Sequence, residues 1–74
     1  MLKIEIKTGG AAFMNPDTGE EDPFWEGIEL NRILSRIQDY IECGHTSGSI
    51  MDINGNKVGT WSRWNKSFIK KIGG

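Results

Sequence analysis

One cysteine, one histidine and two prolines stand among 74 residues, and no apolar run approaches the roughly 18 residues that a membrane span requires. Each scarcity excludes something. A lone Cys43 cannot close an internal disulfide, which points to a reducing compartment. Cys43 and His45 are the only soft metal ligands, and a structural zinc takes four, so the pair supplies half a site. As nucleophile and base the same two residues lack a third group to orient them. The Gly-Lys-Ser/Thr of a phosphate-binding loop is missing, and Thr46-Ser47-Gly48-Ser49 follows a helical pattern instead of preceding one. The first residues lack the profile of a secretory signal. These absences lead to the expectation of a soluble cytoplasmic protein with no catalytic residues, no metal and no cofactor.

Hydrophobic residues make up 36% of the chain, so one small domain is expected. A core of this size supplies about 3–5 kcal/mol, and small folds usually add a staple. With none in the sequence, steadying by self-association or by a partner is expected.

Charge of one sign is missing from whole segments. No base lies between Lys7 and Arg32, while five acids (Asp17, Glu20, Glu21, Asp22, Glu26) crowd into ten residues. From Ile53 onward there are five bases (Lys57, Arg63, Lys66, Lys70, Lys71) and no acid. Such a split marks either a partner surface or ordinary solvation and helix-dipole compensation.

What is present begins with Leu30–Gly44. Leu30, Ile33, Leu34, Ile37, Tyr40 and Ile41 recur at steps of three and four, which gives an amphipathic helix, and Gly44 suits a left-handed residue after its end. Asp22-Pro23 reads as an N-cap with proline at the first helical position. Phe24, Trp25 and Ile28 fall off the stripe, so the regular helix is expected to begin near Glu26, with the lead-in a separate turn. Leu2–Thr8 alternates apolar and charged residues as a half-buried strand does. Ala11–Met14 forms either a short second strand or an apolar flap, and Asn15–Gly19 an exposed bend.

Asn54-Gly55 is a hairpin turn between two further strands. A type I turn with Gly55 in the bulge position pairs Ile50 with Val58 and exposes Ile53, whereas a two-residue loop would pair Met51 with Val58. The first is preferred, because Asp52 and Asn54 then take favoured turn positions. The summed order β-α-β-β gives an α+β two-layer sandwich, with one helix on a three- to four-stranded, mainly antiparallel sheet and the first two strands parallel in direction. Residues 1–63 form the domain, and 64–74 a basic, aromatic tail that is a short helix or an arm.

Two local patterns carry possible chemistry. Asp52-x-Asn54-x-Asn56 mimics the start of a calcium loop, but Lys57 stands where glycine belongs and Arg63 where the bidentate glutamate belongs. Turn chemistry explains these residues without an ion. Trp61, Arg63, Trp64, Lys66, Phe68, Lys70 and Lys71 interleave rings with cations, a mixture that suits single-stranded nucleic acid or an acidic protein. The competing reading places the tryptophans over the end of the core and the lysines in solvent.

Three blocks also resemble a known group: Ile4-x-Ile6-x-Thr8 with Ala11-Ala12-Phe13; Glu29 with Arg32-Ile33-Leu34, Ile37, Ile41 and Gly44; and Asp52-x-Asn54-Gly55-Asn56-x-Val58-Gly59-x-Trp61. Together they look like small accessory proteins of phages and prophages, over Leu2 to about Arg63. The resemblance carries no catalytic residue across. It implies action in the cytoplasm of a bacterial host, through non-enzymatic binding that inhibits a host defence protein, as anti-CRISPR proteins do. The expected partner is a host protein or nucleoprotein complex. Trp61, Arg63, Trp64, Lys66, Lys70 and Lys71, or the acids Asp17, Glu20 and Glu21, are the expected contact residues. Single-stranded nucleic acid bound through the C-terminal segment is the alternative; a homodimer is a further candidate, and no membrane contact is expected.

Overall fold

A computed structural model describes residues 1–64 and shows a small α+β fold. The described elements are β1 (Lys3–Ile6), a 3-10 turn (Ala11–Phe13), α1 (Pro23–Glu42), β2 (Ser47–Met51) and β3 (Lys57–Ser62). The sheet order is β1-β3-β2, and both neighbouring pairs are antiparallel. β1 and β2 therefore run in the same direction with β3 between them, and each is an edge strand. The expected tail conformation falls on residues 65–74, outside those described.

The termini of α1 follow from local chemistry. The Asp22 carboxylate accepts the Phe24 N–H at 2.9 Å, and Pro23 opens the helix where no intrahelical donor is needed. The helix starts there and not near Glu26: capping outweighs the low propensity of Gly27, and the exposed Phe24 and Ile28 continue the helix without joining its buried face. At the other end Gly44 takes φ +93°, the Gly44 N–H donates to the Ile41 carbonyl and the His45 N–H to the Tyr40 carbonyl. That pair of bonds is a Schellman closure.

The buried stripe is narrower than the periodicity suggests. Ile33 and Ile37 are buried and Leu30 and Ile41 partly so, whereas Leu34 and Tyr40 lie at its margins and are exposed. Ala11–Met14 is not a fourth strand. Its 3-10 turn swings Phe13 into the core at 1% exposure, and Met14 makes a single bridge to Glu21. The flap alternative is the one observed.

Strand register pairs large residues with small ones on the core face. One row runs Ile4–Trp61–Gly48, the next Ile6–Gly59–Ile50. A Cβ on Gly48 would stand 2.9 Å from the Trp61 indole nitrogen, so the ring lies across that glycine. A Cβ on Gly59 would fall on the Glu5 carbonyl and 3.1 Å from the Ile6 Cα, so β1 approaches β3 as only glycine allows. Phe13, Ile33, Ile37, Ile50 and Trp61 form the core.

The hairpin keeps the expected turn. The Gly55 N–H donates to the Asp52 carbonyl, Gly55 has φ +84°, and Ile53 is exposed at the tip. Its register differs from both alternatives. Ile50 pairs with Gly59 and Met51 with Lys57, because the ladder shifts between Ile50 and Met51 and leaves Val58 as the extra residue of a bulge.

Candidate functional site

The helix and the β2–β3 tip are locked together by a buried carboxylate. Glu29 lies one turn before Ile33 and two before Ile37, so the helical period carries it onto the core-facing side, at 4% exposure. Its two oxygens accept from Arg32 Nε at 2.7 Å and Nη2 at 3.0 Å, and Oε2 also accepts the Ile53 N–H at 2.8 Å. Arg32 Nη2 reaches on to the Met51 carbonyl at 3.2 Å. Hydrogen bonds from Arg32 hold the Glu29 carboxyl below its ordinary pKa against the opposing effect of burial, and the Ile53 amide adds to this. The same pairing raises the Arg32 pKa.

Asp52, beside this pair, folds back on its own turn. Its Oδ1 accepts the N–H groups of Asn54 and Asn56, and its Oδ2 the Asn56 side-chain amide at 3.3 Å. The backbone amide of Asn56 is the main cause of its lowered pKa. The calcium-like spacing of this segment is thus a turn whose carboxylate is already engaged. Among the described residues no group of three or more His, Cys, Asp or Glu side chains is placed to hold a metal ion.

Next to the lock, a groove of about 130 Å³ opens between α1 and the edge strand β2. Ile33, Ile37, Ile50, Trp61 and the buried Asp52 floor it, and Arg32, Arg36, Tyr40, Ser49 and Met51 rim it. The helical positions 32, 36 and 40 are spaced by four and so stand in one row along the β2 side. Met51 and Tyr40 are exposed, and Tyr40 meets His45 edge to face with ring centres 5.2 Å apart. Among the described residues the ion pairs are Lys3–Glu5 and Arg32–Glu29, which leaves Arg36 without one. The volume fits one aliphatic side chain and is well below the roughly 300 Å³ at which small-molecule sites begin.

The residues expected to bind a partner fare differently. Trp61 is in the core at 3% exposure, opposite Ile4 and Gly48, and what it shows outside the core is part of the groove floor, not the exposed stacking face that the sequence suggests. Arg63 is half-buried, and its Nε donates to the His45 carbonyl at 2.9 Å while its N–H donates to Thr46. Trp64 is exposed; Lys66, Lys70 and Lys71 lie outside the described residues.

Asp17, Glu20 and Glu21 are exposed around a bend whose Asn15 Oδ1 accepts the Asp17 N–H. Among the described residues the acids and Arg63 lie apart. The acids precede the start of α1 and Arg63 is bonded just beyond its end, with a 20-residue helix about 30 Å long between them. The groove residues Arg36, Tyr40, Ser49 and Met51 were not singled out by the sequence. The four-residue spacing of Arg32, Arg36 and Tyr40 was the available signal.

Comparison with protein-family models, curated proteins and solved structures finds no match to this chain. The resemblance to phage accessory proteins stands on the three sequence blocks alone. No helix among the described residues is long and apolar enough to cross a membrane.

Proposed function

We propose that this is a non-catalytic protein-binding domain whose docking surface is the groove between α1 and β2. The observation that carries the reading is the coincidence, among the described residues, of the free edge of β2 with an apolar slot rimmed by the exposed Arg36 and Met51. The ionisable groups with the most structured surroundings are already engaged, Glu29 and Arg32 with each other and with backbone and Asp52 with the amides of its own turn, which favours a structural duty for them over chemistry. The resemblance to phage proteins supports a specific form of this function: inhibition of a host defence protein, as anti-CRISPR proteins do, in the cytoplasm of a bacterial host.

The test is capture by the tagged full chain from nuclease-treated lysate of bacteria carrying CRISPR effectors, alongside the variant Met51→Lys. Recovery of a defence protein by the wild type, lost in the variant, is the expected result. Recovery that vanishes with nuclease, no partner at all, or equal capture by the variant would overturn the reading.

A further inference from the structure

We propose that β1 is the contact edge of a symmetric dimer, in which two copies of the chain join their sheets antiparallel through Leu2–Ile6. This edge lies across the sheet from β2 and the groove, so the inference stands apart from the protein-binding reading above.

The backbone supplies the first argument. The Lys7 N–H donates to the Val58 carbonyl at 2.8 Å, and Lys3 and Glu5 pair with Ser62 and Thr60 in the same register. Strand alternation then turns the N–H and C=O groups of Leu2, Ile4 and Ile6 outward, away from β3. None of the loop and turn bonds among the described residues uses them. The β2 edge differs, because the Arg32 guanidinium already occupies the Met51 carbonyl there. An open edge invites pairing, and a domain with so small a core gains from it.

Charge selects both the occupant and the register. Placing Ile4 opposite Ile4 of the second copy sets Lys3 against Glu5 of that copy, and Glu5 against its Lys3, as close non-hydrogen-bonded pairs. The Lys3–Glu5 pair at 3.1 Å then becomes half of a ring of four alternating charges on the open sheet face. On the helix face the same register covers Leu2, 53% exposed, with Ile6 of the second copy. Lys7 faces only the fully exposed Met1. Sliding by two residues sets Glu5 against Glu5 and Lys3 against Lys7, which is repulsive. Sliding by four restores opposite charges but places Ile4 against Thr8, past the end of β1, and leaves Leu2 uncovered. The edge is thus complementary to itself, as a two-fold interface requires. An edge of β2 from another copy would offer these charges only Ser47 and Ser49 and would not close. The dimer is a six-stranded sheet with β2 at both outer edges.

The experiment is sedimentation of the full chain over a concentration series up to about 1 mM, with amide spectra of the 15N-labelled chain across the same series. The expected result is a monomer–dimer equilibrium in which the Leu2, Ile4 and Ile6 amides move on dilution while Ser47 and Ser49 do not. Lys3→Glu and Glu5→Lys should each weaken the dimer at least about tenfold, since each turns attractive cross-strand pairs into repulsive ones. The double variant exchanges the signs, restores the pairing and should recover the dimer. Both side chains are 68% exposed, so all three variants should keep the monomer fold, checked by circular dichroism.

A monomer throughout the series, dilution shifts centred on β2 or α1, growth into larger species, or a double variant as weak as the single ones overturns the proposal. A chain that stays monomeric yet captures a defence protein removes the dimer alone, and the protein-binding reading survives.

Discussion

Replacing Glu29 by alanine removes one carboxylate and three hydrogen bonds. Two come from Arg32 and one from the Ile53 amide, at 2.7, 3.0 and 2.8 Å. Breaking a fully buried ion pair costs about 3–5 kcal/mol, because the surviving charge is left without water or partner. Here the survivor is better placed. The Arg32 side chain is 34% exposed, and Ile53 sits at the exposed hairpin tip, so water recovers part of the loss. A net cost of about 2 kcal/mol follows, from bonds to a charged acceptor discounted for that rehydration. It is a large share of the roughly 3–5 kcal/mol available to so small a core. At about 4–8 °C per kcal/mol for a domain of this size, Tm should fall by about 8–16 °C.

Thermal melts followed by circular dichroism give the number, and a double-mutant cycle with Arg32→Ala isolates the pair. Its coupling should be at least about 1 kcal/mol. Glu29→Gln, which keeps the side chain's shape, separates charge from packing. If Glu29→Ala melts within about 0.5 kcal/mol of the wild type, or the cycle gives no coupling, the lock is not what holds the hairpin to the helix.

The same carboxylates set a pH dependence. Glu29 and Asp52 both have folded pKa values below their ordinary values of 4.5 and 3.8, so the stability they contribute is complete above those values and is lost as pH falls through the folded ones. Tm should be flat above about pH 5.5 and drop on acidification, less steeply in Glu29→Gln; a Tm that rises in acid would contradict this. Gly59→Ala drives a methyl group onto the β1 backbone and should cost about 3 kcal/mol or more, read as loss of the dispersed amide spectrum; a native-like melt would refute the close approach. Ile37→Asp places an unpaired charge in the core stripe and should unfold the domain, whereas a native melting point would refute the packing of helix on sheet.

Much of the architecture was legible because local rules and tertiary structure agree. Asp22-Pro23, Gly44 and Asn54-Gly55 carry their geometry in their own side chains or their lack of one, and β1 alternates as a half-buried edge should. The misses share a cause: each depends on a contact distant in sequence. The bulge at Val58 arises in the ladder with Ile50 and Met51. Glu29 sits on the apolar stripe by spacing, yet its burial depends on Arg32 and on the Ile53 amide 24 positions away. Trp61 sits among aromatic and basic residues that resemble a binding strip, and only its pairing with Ile4 and Gly48 assigns it to the core. The groove is the least legible feature, since it exists only where α1 passes the edge of β2.

The claim that β2 and the facing row of α1 form the docking surface is tested most directly by amide mapping. The labelled full chain would be recorded with and without the purified protein captured from lysate. The account predicts perturbation or broadening concentrated at Ser47–Met51 and at Arg32, Arg36 and Tyr40, with the open sheet face of Lys3, Glu5 and Thr60 unmoved. Perturbation centred instead on that open face, or on Asp17–Glu21, would contradict it.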